Sequence, residues 1–239
     1  MNHLKIIHEF LTQRQKLPEL YKYGFPFVTI SRQAGAGGHV LAYALKSEFD
    51  KSPSEPMLEG WHVFDKQLCE VVAEDPLLRD SMGALLTETY HSEFKDFVES
   101  LFTGRSRQYL VHKSTFKVVH MLAAIGKVIV VGRGGVCVGR SLPLGVHVRL
   151  VAPEAQRIVW MMKRFKLTKD AAREAMVKQD DDRRKLMKTY FNRDIDDPLL
   201  YDVVWNTGLV DLSHIVESVM RLLRDRYAVA RKASKRDNR

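Results

Sequence analysis

The stretch that decides the fold runs from Thr29 to Leu45 and reads TISRQAGAGGHVLAYAL. It continues the β-prone run that begins at Phe27, and its second half spaces apolar side chains as an α-helix does. A loop between a strand and a helix N-terminus presents several backbone N–H groups in one direction, and the helix dipole adds positive charge. The glycines of this loop therefore predict a phosphate cradle, although glycine-rich turns of this kind also serve packing alone.

Four further short β-prone runs follow this unit and are separated by helical patterns. The run KVIVV at 127–131 is apolar after its first residue, as expected for a strand that is buried on both faces. Strands that alternate with helices indicate an α/β fold with a parallel sheet. The predicted strands after the first are His62–Asp65, Lys127–Val131, Val146–Val151 and Asp202–Asn206.

Composition excludes several classes of protein. Apolar residues make up 45% and charged residues 28% of the 239 residues, which is typical of a globular chain. Cys69 and Cys137 lie far apart, so we expect neither a disulfide scaffold nor a cysteine-rich zinc site, and we predict a reducing, cytoplasmic location. No apolar run approaches the ~18 residues of a membrane span, and the nine histidines form no metal-ligand motif.

The net charge of +9 is unevenly distributed. Residues 231–239 carry five basic side chains and one acidic side chain, a net +4, which leaves +5 for the rest of the chain. A basic body suits an anionic partner such as a nucleotide or a nucleic acid. The tail has no interleaved aromatic residues, so we interpret it as solvated charge and do not expect nucleic acid as a partner. We predict a helical extension at 1–24, a main domain at 25–228 and a basic tail at 229–239. The sequence does not specify an oligomeric state.

Five segments, in this order, resemble the cytidylate kinase-like family, a branch of the P-loop nucleoside monophosphate kinases. The glycine loop resembles the family's P-loop, and no single motif is as specific as their shared order over roughly residues 25–225. The other segments are Phe64-Asp65-Lys66 after the second strand, Val130–Gly134 (VVGRG) after the third, Asp180-x-x-Arg183 on a helix, and Tyr201–Thr207 (YDVVWNT) at the fifth.

This resemblance implies a three-layer P-loop NTPase fold with a five-stranded parallel sheet. It also implies a helical acceptor insert at about 66–125 and a lid at about 157–195. The implied activity is phosphoryl transfer from ATP, with Mg²⁺, to a nucleoside monophosphate, with CMP or dCMP as the leading acceptor. The implied partners are therefore nucleotide substrates.

The resemblance also assigns candidate site residues. Arg133 would hold the acceptor phosphate, because a guanidinium matches phosphate oxygens in a bidentate manner. Asp65 would contact the acceptor or order Mg²⁺ through water, or would simply cap the next helix. Arg157 and Arg183 would close over the transferring group. The donor phosphates would be bound by Gly35, Ala36, Gly37, Gly38 and His39, and the nucleobase would be flanked by Asn206 and Thr207, whose other reading is a turn or cap.

The loop departs from the usual pattern GxxxxGK(S/T). Gly38 stands where the phosphate-binding lysine belongs, and His39 lies at or near the place of the magnesium-ligating hydroxyl. Either another cation replaces the lysine, with Arg32 as the nearest candidate, or catalysis is weak. The alternatives to a nucleotide kinase are a non-catalytic nucleotide-binding regulatory module and a kinase acting on another small molecule. The insert's aromatic residues would stack on a base or pack between helices: Phe94, Phe97, Phe102, Tyr109 and Phe116.

Overall fold

A parallel five-stranded sheet forms the centre of the molecule. The computed structural model describes residues 3–15, 25–52, 55–86 and 107–237, without the side chains of residues 15, 107–111 and 233–237. The strand order is β2–β3–β1–β4–β5, and every pairing is parallel. The strands are β1 Phe27–Arg32, β2 His62–Phe64, β3 Val128–Val131, β4 Gly145–Val151 and β5 Val203–Asn206.

Helices connect these strands and cover both faces of the sheet. The described helices are α1 His3–Gln15, α2 Gly38–Asp50, α3 Lys66–Glu74, α4 Pro76–Gly83, α5 Arg107–Ile125, α6 Gly135–Val138, α7 Glu154–Phe165, α8 Lys169–Phe191 and α9 Leu212–Asp237, with a 3-10 turn at Pro198–Leu200.

The continuous apolar run of β3 is explained by two separate cores. Val128 and Val130 point into a core with α1, α3, α4 and α5, whereas Ile129 and Val131 point into a core with α2 and α9. Because successive side chains of a strand alternate between faces, a strand between two helical layers needs apolar residues at every position. This arrangement confirms the predicted three-layer α/β fold with five parallel strands.

Each predicted strand after the first differs from the observed strand by one residue at one end. The charged region at 154–191 forms two helices, because Lys166 adopts a left-handed conformation with φ of 54° and ends α7. Thr168 then caps α8 by accepting a hydrogen bond from the N–H of Ala171 at 3.4 Å. Helix α1 packs against the sheet domain, since Ile7, Phe10 and Leu11 are buried in the first core.

The predicted acceptor insert is described in part. Residues 66–86 and 107–125 contain helices α3, α4 and α5, while Phe94, Phe97 and Phe102 and the side chain of Tyr109 lie outside the described residues. Phe116 is buried and packs against the rings of Tyr190 and Phe191 on α8. It is therefore a packing residue. The division into extension, domain and tail stays a prediction.

Candidate phosphate-binding site

The candidate site lies at the carboxyl ends of β1 and β3. These neighbouring strands each end in a glycine turn, at Gly35–Gly38 after β1 and at Gly132–Gly134 after β3. In the order β2–β3–β1–β4–β5, the strands that follow β1 are added first on one side of it and then, from β4 onward, on the other. Ligands of open α/β sheets bind in the crevice at such a switch point.

The first turn exposes backbone donors at the start of α2. Gly37 caps the helix with φ of 86°, and Gly35 has φ of 79°, both in the left-handed region that favours glycine. In the described chain, the N–H groups of Gly35, Gly37, Gly38 and His39 donate to no protein acceptor. They are therefore free to bind an anion at the positive end of the helix.

Arg32 ends β1 and extends over this turn. Its Nη1 lies so close to Gly132 that a Cβ added there would be 2.2 Å away. Burial, with Arg183 and Arg133 nearby, lowers the pKa of Arg32 to about 9, so the guanidinium remains charged at neutral pH. No residue of the described ranges forms a hydrogen bond or ion pair with that guanidinium.

Arg133 and Arg183 bring two more positive charges to the crevice. Arg133 follows β3 with φ of 56°, and its Nη1 lies 3.7 Å from Oε1 of Glu70 on α3. Arg183 comes from α8, where burial lowers the pKa of its guanidinium and Asp180 opposes that shift. The predicted acceptor arginine and one of the two predicted lid arginines therefore lie with Arg32 in one cationic cluster.

Asp180 joins the lid helices to the glycine loop. Its Oδ1 accepts hydrogen bonds from the Ala34 N–H at 2.7 Å and from Nη1 of Arg183 at 2.9 Å. Its Oδ2 accepts one from Nη1 of Arg157 at 2.6 Å. Arg157 also donates to the Ala34 carbonyl at 3.2 Å, and its backbone covers Gly35, where a Cβ would lie 2.7 Å from the Arg157 carbonyl oxygen. Arg157 thus binds the loop itself.

Asp65 and His39 face each other beside the loop. Oδ1 of Asp65 caps α3 by accepting from the Leu68 N–H at 3.1 Å, while Oδ2 lies 3.9 Å from Nε2 of His39. Burial and the charge of Arg32 lower the pKa of His39, which keeps the imidazole neutral at neutral pH. The capping role of Asp65 is therefore present, and its second oxygen remains open to a ligand.

The donor set around the loop fits Mg²⁺ through a single residue. Mg²⁺ takes oxygen ligands and commonly uses one or two carboxylates together with substrate phosphates. Asp65 Oδ2 meets that requirement, whereas the imidazole of His39 does not replace a hydroxyl oxygen. No group of three or more acidic, histidine or cysteine side chains able to hold a metal occurs within the described ranges.

Asn206 and Thr207 follow β5 and contact the loop region. Asn206 Oδ1 accepts a hydrogen bond from the Gly208 N–H at 3.0 Å, which stabilises the turn. The Thr207 hydroxyl donates to the Ala36 carbonyl, 3.2 Å away, or to the Val151 carbonyl, 3.3 Å away. Both residues thus have structural contacts beside the phosphate cradle, and a role toward a nucleobase stays a prediction.

Sequence reasoning missed Arg149 on β4. It is buried, its Nη1 donates to the Ser31 hydroxyl at 2.9 Å, and its Nη2 forms an ion pair with Asp196. The Tyr201 hydroxyl lies 3.2 Å from the same Ser31 oxygen. The available signal was a charged residue inside the apolar run VHVRLV, which few strands accept without a buried partner.

Comparisons with known proteins agree with this geometry. The model of the cytidylate kinase-like family matches residues 27–209, most of the chain, and the protein belongs to that family. This finding confirms the resemblance deduced from the five segments and supports kinase, transferase and nucleotide-binding functions at the level of the family.

A solved structure shows a similar fold. The crystal structure of an uncharacterized protein from Eubacterium ventriosum has a TM-score of 0.61 at 17% identity, over 83% of this chain and 98% of that one. TT1252 from Thermus thermophilus has a TM-score of 0.42 at 16% identity, over 84% of this chain and 98% of that one. A search of curated proteins finds no match to the sequence. Among the helices of the described residues, none has the length and apolarity to cross a bilayer.

Proposed function

We propose that this protein transfers the γ-phosphoryl group of ATP to a nucleoside monophosphate, with CMP or dCMP as the leading acceptor. Membership of the cytidylate kinase-like family supports a nucleotide kinase as the class. The observation that carries the proposal is the crevice itself, in which unused loop N–H groups face a cluster of arginines from three different elements.

The crevice supplies what phosphoryl transfer requires. The reaction needs positioning and positive charge around the moving group more than it needs covalent help from the protein. In our proposal the N–H groups of residues 35–39 hold the donor phosphates, and Arg133 holds the acceptor phosphate across the crevice. Arg183 and Arg32 stabilise the charge that develops between them. Mg²⁺, held through Asp65, would neutralise donor phosphate charge when bound.

The lid would act through the contacts of Asp180. Because Asp180 already connects Ala34, Arg157 and Arg183, helices α7 and α8 would hold these arginines at the loop when a nucleotide binds. Closed lids exclude water, which would otherwise compete with the acceptor. Asn206 and Thr207 would then lie beside the nucleobase of the donor.

The test is phosphate transfer from labelled ATP with Mg²⁺ to CMP, dCMP, UMP, AMP, GMP or no acceptor. Arg133→Ala should lower kcat/KM for the preferred acceptor by about 10- to 150-fold, because it removes a charged hydrogen bond to the acceptor phosphate. Arg221→Ala is the matched control, because Arg221 is a highly exposed arginine of α9 that pairs only with Asp225 at 3.1 Å among the described residues. An active preparation in which Arg133→Ala leaves acceptor affinity and turnover unchanged would refute the proposal.

A second function is favoured by one observation, the glycine at position 38 in place of the loop lysine. A non-catalytic nucleotide-binding module needs the cradle and does not need that lysine. Two results together would support this regulatory function or a kinase for another small molecule. The protein would bind ATP and lose that binding in Arg133→Ala or Arg183→Ala, and it would transfer phosphate to none of the acceptors.

A further inference from the structure

The Arg32 side chain crosses two glycines on its way into the crevice. A Cβ added at Gly38 would lie 2.9 Å from Cγ of Arg32, and one added at Gly132 would lie 2.2 Å from its Nη1. The methylene stem therefore covers the first residue of α2, and the guanidinium lies on the turn after β3. These two glycines form a slot that connects the donor loop with the loop of Arg133.

Position 38 requires glycine for a steric reason and not because of its backbone conformation. Gly35 and Gly37 have positive φ, which favours glycine, but the φ of Gly38 lies outside that region. A lysine at position 38 could adopt this backbone, but its Cβ would collide with Arg32. The residue that departs from the usual loop pattern is thus the residue over which Arg32 passes.

The guanidinium of Arg32 is held in the crevice without a protein counter-ion in the described ranges. Asp65 and Asp180 favour its charge from a distance, whereas Arg133 and Arg183 oppose it. Retaining a partly buried, unpaired charge costs free energy that a bound anion would offset. Its position between the two glycine turns is where the donor polyphosphate and the acceptor phosphate would meet.

We propose that Arg32 replaces the missing loop lysine as the cation of the donor polyphosphate, and that it excludes any side chain at position 38. This inference rests on the proposed function, since it assumes that the loop binds a nucleoside triphosphate. The cation is then a residue at the end of β1 instead of one in the first turn of α2. The site keeps its positive charge, but a different element supplies it. Arg32 and a lysine at position 38 are alternatives that cannot occupy the slot together.

The steric part of the inference is tested without any activity. Alanine is a better helix former than glycine, so Gly38→Ala should raise the melting temperature when nothing obstructs its Cβ. We expect Gly38→Ala to lower the melting temperature in the natural background and to raise it in the Arg32→Gly background. Shifts of the same sign in both backgrounds would overturn the proposed exclusion.

The functional part of the inference is tested by removing the cation at position 32 and introducing a lysine at position 38. Variants Arg32→Gly, Gly38→Lys and the double variant are compared for the ratio of ATP to AMP affinity, measured by calorimetry, and for turnover. Loss of a charged hydrogen bond corresponds to about a 10- to 150-fold loss of ATP affinity, so Arg32→Gly should lower that ratio in this range. Gly38→Lys alone should also lose affinity or stability, and the double variant should regain at least half of the lost free energy. Arg32→Lys keeps the charge and should lose less than Arg32→Gly.

The outcomes separate this inference from the proposed function. Arg32→Gly that binds ATP as tightly as the natural protein, or a folded double variant no better than Arg32→Gly, would overturn the inference. Recovery of ATP affinity in the double variant, with no nucleoside monophosphate phosphorylated by any variant, would uphold the inference and refute the proposed nucleoside monophosphate kinase. Absence of ATP binding in the natural protein would overturn both. Arg221→Gln serves as the arginine control, because its exposed side chain lies on α9 away from the crevice.

Discussion

Replacement of Asp180 by asparagine would test how the lid is attached to the phosphate loop. The side chain of Asp180 is 10% exposed, and its ion-pair partners Arg157 and Arg183 are 11% and 24% exposed. Asp180→Asn keeps the size of the side chain but removes the charge that both arginines share. Both carboxylate oxygens of Asp180 accept hydrogen bonds, whereas the amide N–H₂ of asparagine can only donate, so at least one of the three contacts is lost in either orientation of the amide.

The expected loss of stability follows from this burial. Removing one partner of a buried ion pair costs about 3–5 kcal/mol, since it leaves an uncompensated buried charge. Because Arg183 is partly solvated, we take the lower end, about 3 kcal/mol. For a chain of this size that loss corresponds to a decrease in melting temperature of about 6–12 °C.

Asp181→Asn provides a control on the same helix. Asp181 pairs with Arg184 at 2.8 Å, but both side chains are about half exposed, at 49% and 50%. An exposed pair of this kind contributes at most ~1 kcal/mol. Thermal and guanidinium unfolding of the two variants should therefore differ by about 2 kcal/mol or more. If Asp180→Asn proves no less stable than Asp181→Asn, the buried-pair reasoning is refuted, and Asp180 does not hold the lid to the loop.

Three further predictions follow from buried groups. Burial lowers the pKa of His62, His120 and His147 to about 4 each. As the pH falls, these histidines therefore bind protons in the unfolded chain before they do so in the folded protein. The free energy of unfolding, measured in urea, should be constant above about pH 6.5 and should decrease toward pH 4 by up to about 3 kcal/mol per histidine. A flat profile from pH 7 to pH 4.5 would contradict this prediction. Burial raises the pKa of the Cys69 thiol to about 12, so a maleimide at pH 7.5 should label Cys69 only after denaturation. Mass mapping measures this labelling, and a similar labelling rate in the folded protein would contradict the prediction. Arg14 anchors α1 by donating a hydrogen bond at 2.8 Å to the Gly60 carbonyl, which precedes β2. Arg14→Met should therefore lower the free energy of unfolding by about 1–3 kcal/mol. An unchanged free energy of unfolding would show that α1 does not depend on this contact.

The local and periodic features of the fold could be predicted from the chain. The strand–loop–helix unit at 27–50 and the two-sided burial of β3 depend on alternation and spacing, which are written in consecutive residues. Boundaries were less predictable, as at Lys166, where a left-handed residue splits the long charged region into α7 and α8. Thr168 marks the start of α8, but the residue type of Lys166 does not indicate a left-handed conformation, which lysine adopts only rarely.

The sequence by itself determined the elements and the inventory of charged groups for the site, including the cradle and the presence of Arg133 and Arg183 near strand and lid motifs. Only the tertiary structure decided which of these groups meet. Asp180 is one of three consecutive acids, and the fold alone selects it as the partner of Ala34, Arg157 and Arg183. Likewise, the glycine in the lysine's place is explained only when the Arg32 side chain is seen above it. The physical reason is distance, since contacts between residues far apart in the chain depend on packing that local patterns do not specify.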